Sequence, residues 1–398
     1  MKVWWPLLIT LAIQAAGAMA LLTIPAMAPE MAAEVGVPTN FAGLYIAVAY
    51  VAALLASLVS GSTISRFGAI RVSQFCLLLC GVGLLLCAWG SLPAIAIGAL
   101  LIGAGYGPIT PASSHLLART TQPSHMSLVF SVKQTGVPLG GMLAGALVPP
   151  LVIWSGWRSA LMASAMLGLA LVLIAQGLRS RLDADRDSTR QLSLGALASP
   201  IRMVLTHPML TTLAFCSFAF SMAQLSLTTY LVTYLYSQFA YTLVAAGLVL
   251  TVCQLGGVLG RIAWGMVADR WLGATNTLIV LAMLIACCAL VSAGLSPSAP
   301  MFVLILLMSV FGASAIGWNG VYLAEVARQA PDGQAGQATG GTLAFTYLGV
   351  VIGPPFFGFI SEVTGSYRVS FLLLALSAML ASFALWRQSS LKTWRRRN

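Results

Sequence analysis

The chain has 398 residues, of which 59% are hydrophobic and only 7% charged. Soluble domains carry about 25% charged residues, so this composition excludes a soluble protein and indicates an integral membrane one. The net charge of +11 reads as basic loops on one membrane face rather than as a nucleic-acid-binding surface.

Lys2, an apolar run and Ala18-Met-Ala20 imitate a secretory signal, but apolar residues continue to about Ala28, long enough to span, so the segment is expected to remain as a first helix. At ~20 apolar residues per crossing, twelve spans are predicted: 5–27, 41–60, 72–90, 93–118, 127–153, 157–178, 208–236, 241–263, 276–294, 299–325, 337–362 and 365–386. The longest connection, 179–207, is rich in arginine and aspartate and divides the spans six and six. The expected organisation is a six-helix unit over 1–178, a cytoplasmic linker over 179–207 that is partly an amphipathic surface helix, and a second six-helix unit over 208–398 with a basic tail.

With the N-terminus inside, 17 of the 20 lysines and arginines are assigned to inner segments, Arg261 provisionally because it lies within the eighth span, Arg158 and Arg368 fall outside, and Lys133 lies in the membrane. Both termini are therefore expected in the cytoplasm of a cell that carries the chain in its inner or plasma membrane. The seven cysteines all sit in apolar runs without a C-x-x-C or a histidine cluster, so neither a disulfide framework nor a metal site is expected.

The halves repeat. Gly61-Ser-Thr-Ile-Ser65-Arg66-Phe-Gly68 follows the second span, and Gly265-Met-Val-Ala-Asp269-Arg270-Trp-Leu-Gly273 follows the eighth, an offset of 204 residues. Pro149-Pro150 in the fifth span matches Pro354-Pro355 in the eleventh. Two similar units in parallel orientation follow.

On these residues the chain resembles the major facilitator superfamily over essentially its whole length, with G-x-x-x-D-R-x-G as the shared signature. The resemblance implies an all-α membrane fold of twelve transmembrane helices in two pseudo-symmetric six-helix bundles. The chain is expected to act as a monomer and to need no cofactor. In the family the signature acid helps hold the cytoplasmic side shut, which makes Arg66, Asp269 and Arg270 gating candidates. Ser65 stands where the first acid is expected, and the second copy has one extra residue before Gly273.

Lys133 is the main candidate for chemistry. A lysine inside an apolar run costs a few kcal/mol and normally faces a bundle interior or wet cavity; Ser131, Gln134 and Thr135 crowd the same turns. The alternative is a stem that snorkels about 10 Å back to the headgroups. Arg261 lies eight residues before Asp269, about 12 Å inside the eighth span if Asp269 marks the boundary. The family plan sets spans 5 and 8 side by side, and the arginine followed by G-x-x-x-D is similar to monocarboxylate transporters and oxalate/formate exchangers, where it binds the carboxylate. The exchangers draw a second cation from span 11, which here has none. Helix-end capping is the alternative reading of Arg261.

Polar stripes recur at helical spacing in span 7 (Ser217, Ser221, Gln224, Thr228) and span 10 (Ser314, Trp318, Tyr322, Glu325). The family lines its cavity with spans 1, 4, 7 and 10, which adds Gln14, Tyr106, Thr110 and Asn319; helix packing through hydrogen bonds explains such residues equally well. Glu325 and His115 are the candidates for proton coupling. No paired carboxylates, metal ligands or phosphate loop are present, so an enzyme is not expected.

The expected function is secondary transport of a small organic anion, by proton symport or anion exchange. Alternatives are a drug or sugar/proton antiporter of the same fold, and a transporter-like membrane sensor. The span 11 motif Gly349-x-x-x-Gly353-Pro354 is similar to an element of the family's drug/proton antiporters.

Overall fold

A computed structural model describes residues 4–122, 126–187, 198–331 and 334–397. Lys2, Arg190 and the linker segment 188–197 lie outside these residues. Among the described residues, twelve helices are long and apolar enough to cross a membrane, and a helix satisfies its own backbone polar groups in hydrocarbon. The chain is a multi-pass membrane protein.

The chain sorts into two compact units, one of residues 1–195 with 231–251 and the other of residues 196–230 with 252–398. The first contains α1 (Trp4–Ala26), α2 (Ala28–Val35), α3 (Phe41–Leu58), α4 (Ser60–Phe67), α5 (Ala69–Cys87), α6 (Leu92–Thr120), α7 (Met126–Gln134), α8 (Gly136–Ser155) and α9 (Trp157–Leu182). After α10 (Ala198–Thr206) come the long helices α11 (Pro208–Phe239) and α12 (Leu243–Val267). Their joining ends, 231–251, pack with the first unit. A Cβ on Gly145 of α8 would lie 2.7 Å from the Gly247 carbonyl, and one on Gly247 would lie 2.5 Å from the Gly145 carbonyl. Thr251 Oγ1 donates to the Met142 carbonyl at 3.4 Å, and Tyr236 Oη donates to Glu30 Oε1 of α2 at 3.2 Å. The other acid of α2, Glu34, accepts from Trp157 Nε1 at 2.7 Å and from Arg158. Those two donors, Arg158 foremost, hold its carboxyl below the usual carboxylate range.

The second unit continues with α13 (Ala274–Gly294), α14 (Met301–Ala315), α15 (Asn319–Gln329), α16 (Ala335–Thr364) and α17 (Tyr367–Arg397). α10 lies against α16, where Gly341 leaves room for the Pro200 carbonyl and Val204.

Two expected spans are interrupted. The fifth breaks at Thr135 between α7 and α8, directly after Lys133. Pro138 has no N–H to offer the Gln134 carbonyl, and the Thr135 hydroxyl bonds back to the Val132 carbonyl at 2.6 Å. The tenth breaks between Ala315 and Asn319. Here the donors come from α12, with Trp264 Nε1 on the Ala313 carbonyl at 3.0 Å and Arg261 Nε on the Ile316 carbonyl at 3.2 Å.

The two signature copies close differently. Gly68 N–H bonds the Ile64 carbonyl, an ordinary helical step, whereas Gly273 N–H reaches five residues back to Ala268. The extra residue of the second copy is absorbed as a π-helical turn over Ala268–Leu272. Both glycines adopt positive φ, +94° and +73°. At Gly68 a Cβ would also meet Asp183 Cγ at 2.3 Å. That carboxylate, 4% exposed, accepts from the Ile70 and Arg71 backbone N–H groups at 2.7 and 3.0 Å and caps α5 from beyond the sixth span. Ser65, in the signature's acid position, donates its hydroxyl to the Gly61 carbonyl of its own helix, and its backbone carbonyl accepts from the Asp187 N–H at 2.8 Å.

Replacing Asp183 by Ala leaves two helix N–H groups without their acceptor and is expected to cost about 1–3 kcal/mol. Gly68→Ala also lowers stability through its φ and the Asp183 contact, while Ser65→Ala stays within about 0.5 kcal/mol. Thermal unfolding of the purified variants checks the order.

Candidate substrate site

In the first unit, the α7 break places Lys133 fully buried at the end of α7. One turn further on, Gly136 packs on Gln14 of α1, where a Cβ would come within 2.9 Å of Gln14 Cβ and Cγ. Gln14 is itself fully buried. Thr110 Oγ1 of α6 donates to its Oε1 at 3.0 Å, and its Nε2 has no hydrogen-bond partner. A buried amide with unused N–H donors calls for an acceptor. The sequence places no Asp or Glu between Glu34 and Asp183, so this interior carries donors and a cation but no carboxylate of its own spans. Tyr106, half-buried, stands on the same face of α6 as Thr110, with its ring 5.9 Å from that of Tyr50. Gln134 is half-buried beside Lys133 in the chain.

In the second unit, the α14–α15 break presents Trp318 and Tyr322, each 1% exposed. The Trp318 ring packs edge-on to Phe220 at 5.5 Å and to Tyr322 at 5.2 Å, and Trp318 Nε1 donates to Gln224 Oε1 at 3.0 Å. Asn319 opens α15, half-buried. Arg261 is half-buried, and its Nε donates to the carbonyl freed by the break, the backbone contact that the helix-capping reading expects.

The α11 stripe expected from the sequence is largely self-satisfied. Ser217 bonds the Ala214 carbonyl, Ser221 those of Phe218 and Thr346, and Thr228 that of Gln224. The buried hydroxyls of Ser226, Thr229 and Thr233 have no hydrogen-bond partner. These residues were missed, although their spacing of three and four residues was visible as another face of the same helix.

Glu325 is fully buried and accepts from Thr275 Oγ1 of α13 at 2.8 Å, from Gln329 Nε2 at 2.7 Å and from Arg328. Three donors make it an anchor between α15 and the start of α13. His115 Nε2 lies 2.7 Å from Asp185 Oδ2, and Arg119 pairs with the same carboxylate. Burial pushes the Asp185 carboxyl up, but the His115 bond and Arg119 outweigh it and hold it below the usual range. Arg66 stacks over Phe67 at 5.5 Å, while Asp269 and Arg270 are exposed in the π-helical turn.

An uncharacterised MFS-type transporter of Mycobacterium tuberculosis (strain CDC 1551 / Oshkosh) is 27% identical over 292 residues, 73% of this chain and 64% of that protein, so the match spans under two thirds of the relative. A hexuronate transporter of Bacillus subtilis (strain 168) is 22% identical over 303 residues, 72% of this chain and 71% of its own. The crystal structure of a point mutant of the nucleoside transporter NupG superposes with a TM-score of 0.77 at 16% identity, covering 95% of this chain and 99% of that one; at that identity the likeness speaks for the fold. The family model of the Major Facilitator Superfamily matches residues 7–342, and the chain belongs to that superfamily.

Proposed function

We propose that the protein is a secondary transporter of a small organic anion, a carboxylate, working by alternating access in the inner or plasma membrane with both termini in the cytoplasm. The observation that carries this reading is the fully buried Lys133 at a helix break, one turn from the glycine that seats Gln14 with its unused amide donors. An ammonium at that depth normally faces a bundle interior or a water-filled path and marks a functional site, and a carboxylate supplies the acceptor that the Gln14 amide lacks. The hexuronate named for the Bacillus relative is itself a carboxylate.

Lys133 and Gln14 are the proposed anion contacts of the first unit, with Thr110, Tyr106 and Gln134 around them. Arg261 is the proposed cation of the second unit, with Gln224, Thr228, Trp318, Asn319 and Tyr322 shaping the substrate. Arg66, Asp269 and Arg270 are retained as gate residues. Glu325 has the contacts of an anchor and His115 those of a helix-end tie, so their geometry supports anion exchange over proton symport through either group.

A thermal-shift series with galacturonate and other organic acids tests the binding. Acids, and not their neutral analogues, are expected to stabilise the purified protein. Lys133→Met is expected to require at least about tenfold more acid for the same shift, a loss of about 1.4 kcal/mol or more. Neutral sugars that stabilise the wild type and Lys133→Met alike would overturn the carboxylate reading. Arg261→Lys, which keeps the charge but not the fork, is expected to weaken acid binding several-fold in the same assay.

A further inference from the structure

We propose that the outer flank of α9 and the turn that follows it bind an anionic phospholipid. The α9 span is among the least buried of the twelve, with 28% of its apolar window covered. Met166, Leu173, Gly177, Ser180 and Ala184 recur every three, four or seven residues on its open side. Met166 is 64% and Leu173 75% exposed. Gly177 faces open space on this stripe, since a Cβ built there meets nothing within 4 Å. The apolar part suits an acyl chain, and the stripe leads directly to a polar end.

At that end Gln176, Arg179, Ser180, Asp183, Ala184 and Arg186 line an open cavity of about 420 Å³. Its acids are already engaged. Asp183 caps α5 through the Ile70 and Arg71 N–H groups, and the neighbouring Asp185 holds His115 and Arg119. Arg179 pairs loosely with Asp183, Nε to Oδ2 at 3.9 Å, longer than a hydrogen bond, and its buried Nε has no hydrogen-bond partner. Arg186 is exposed at the rim, and Arg181 lines a second opening on the other side of Ala184. The cavity therefore offers guanidinium groups to a phosphate. Its continuity with the apolar stripe of a membrane helix selects a lipid over a free phosphate. A net negative headgroup is favoured because the adjoining carboxylates are committed to other partners and so do not hold a choline or ethanolamine cation.

The test uses the purified full chain in detergent. Its thermal stability is titrated with phosphatidylglycerol, phosphatidylcholine and inorganic phosphate for the wild type, Arg179→Ala/Arg186→Ala and Gly177→Leu. Phosphatidylglycerol is expected to stabilise the wild type at about tenfold lower concentration than phosphatidylcholine. The double variant is expected to lose that preference, and Gly177→Leu to weaken the lipid several-fold from the acyl side while unfolding at the wild-type temperature without lipid. Equal stabilisation by the two lipids, or an unchanged preference in the double variant, would overturn the site. Inorganic phosphate matching phosphatidylglycerol, with Gly177→Leu silent, would overturn the lipid and leave a phosphate site.

Discussion

Inside a bilayer a backbone carbonyl or N–H released from its helix has no water to turn to, so every interruption of a span must bring its own partner. In the second unit the interruption between α14 and α15 meets this demand with Trp264 and Arg261, whose N–H groups take the Ala313 and Ile316 carbonyls. In the first unit the break follows from Pro138, and the Thr135 hydroxyl ties the preceding turn. The residues with the most distinctive chemistry, Lys133 and Trp318 among them, sit at these two breaks. A continuous helix would leave no such irregular turns to present them.

The internal repeat is preserved in shape and altered in its means. Both third-span helices, α5 and α13, begin after a glycine of positive φ, and both are held near their start by a carboxylate. In the first unit that carboxylate is Asp183, reaching back from beyond the sixth span to the α5 backbone. In the second it is Glu325, from the tenth span, on the Thr275 hydroxyl. The serine at position 65 costs the first unit its signature acid, and Asp183 supplies an acid to the adjoining helix start from elsewhere. Asp269, the acid retained in the second copy, lies exposed in a π-helical turn that accommodates one extra residue.

The spans were legible in the sequence because hydrocarbon demands an apolar run of fixed length, a signal that no tertiary contact needs to complete. The cause of the break after Lys133 is also written there, since Pro138 removes a helix N–H wherever it falls in a span. The break at residues 316–318 was not legible, since no proline marks it and its donors come from a helix some fifty residues away in sequence. The α11 stripe shows the same limit: spacing reveals which residues share a face but not whether Ser217 or Thr228 has already spent its hydroxyl on its own helix. Arg261 was found by its depth in the sequence, while its bond to the Ile316 carbonyl needed the fold. The capping role of Asp183 was hidden because its partners lie over a hundred residues earlier.

A carrier of the proposed kind passes a carboxylate across the bilayer, whereas a sensor only holds it. Counterflow in proteoliposomes loaded with an acid that stabilises the purified chain separates the two. Transient accumulation of the labelled acid against its own gradient is the predicted result. Saturable binding of the same acid without any exchange across the bilayer would contradict it.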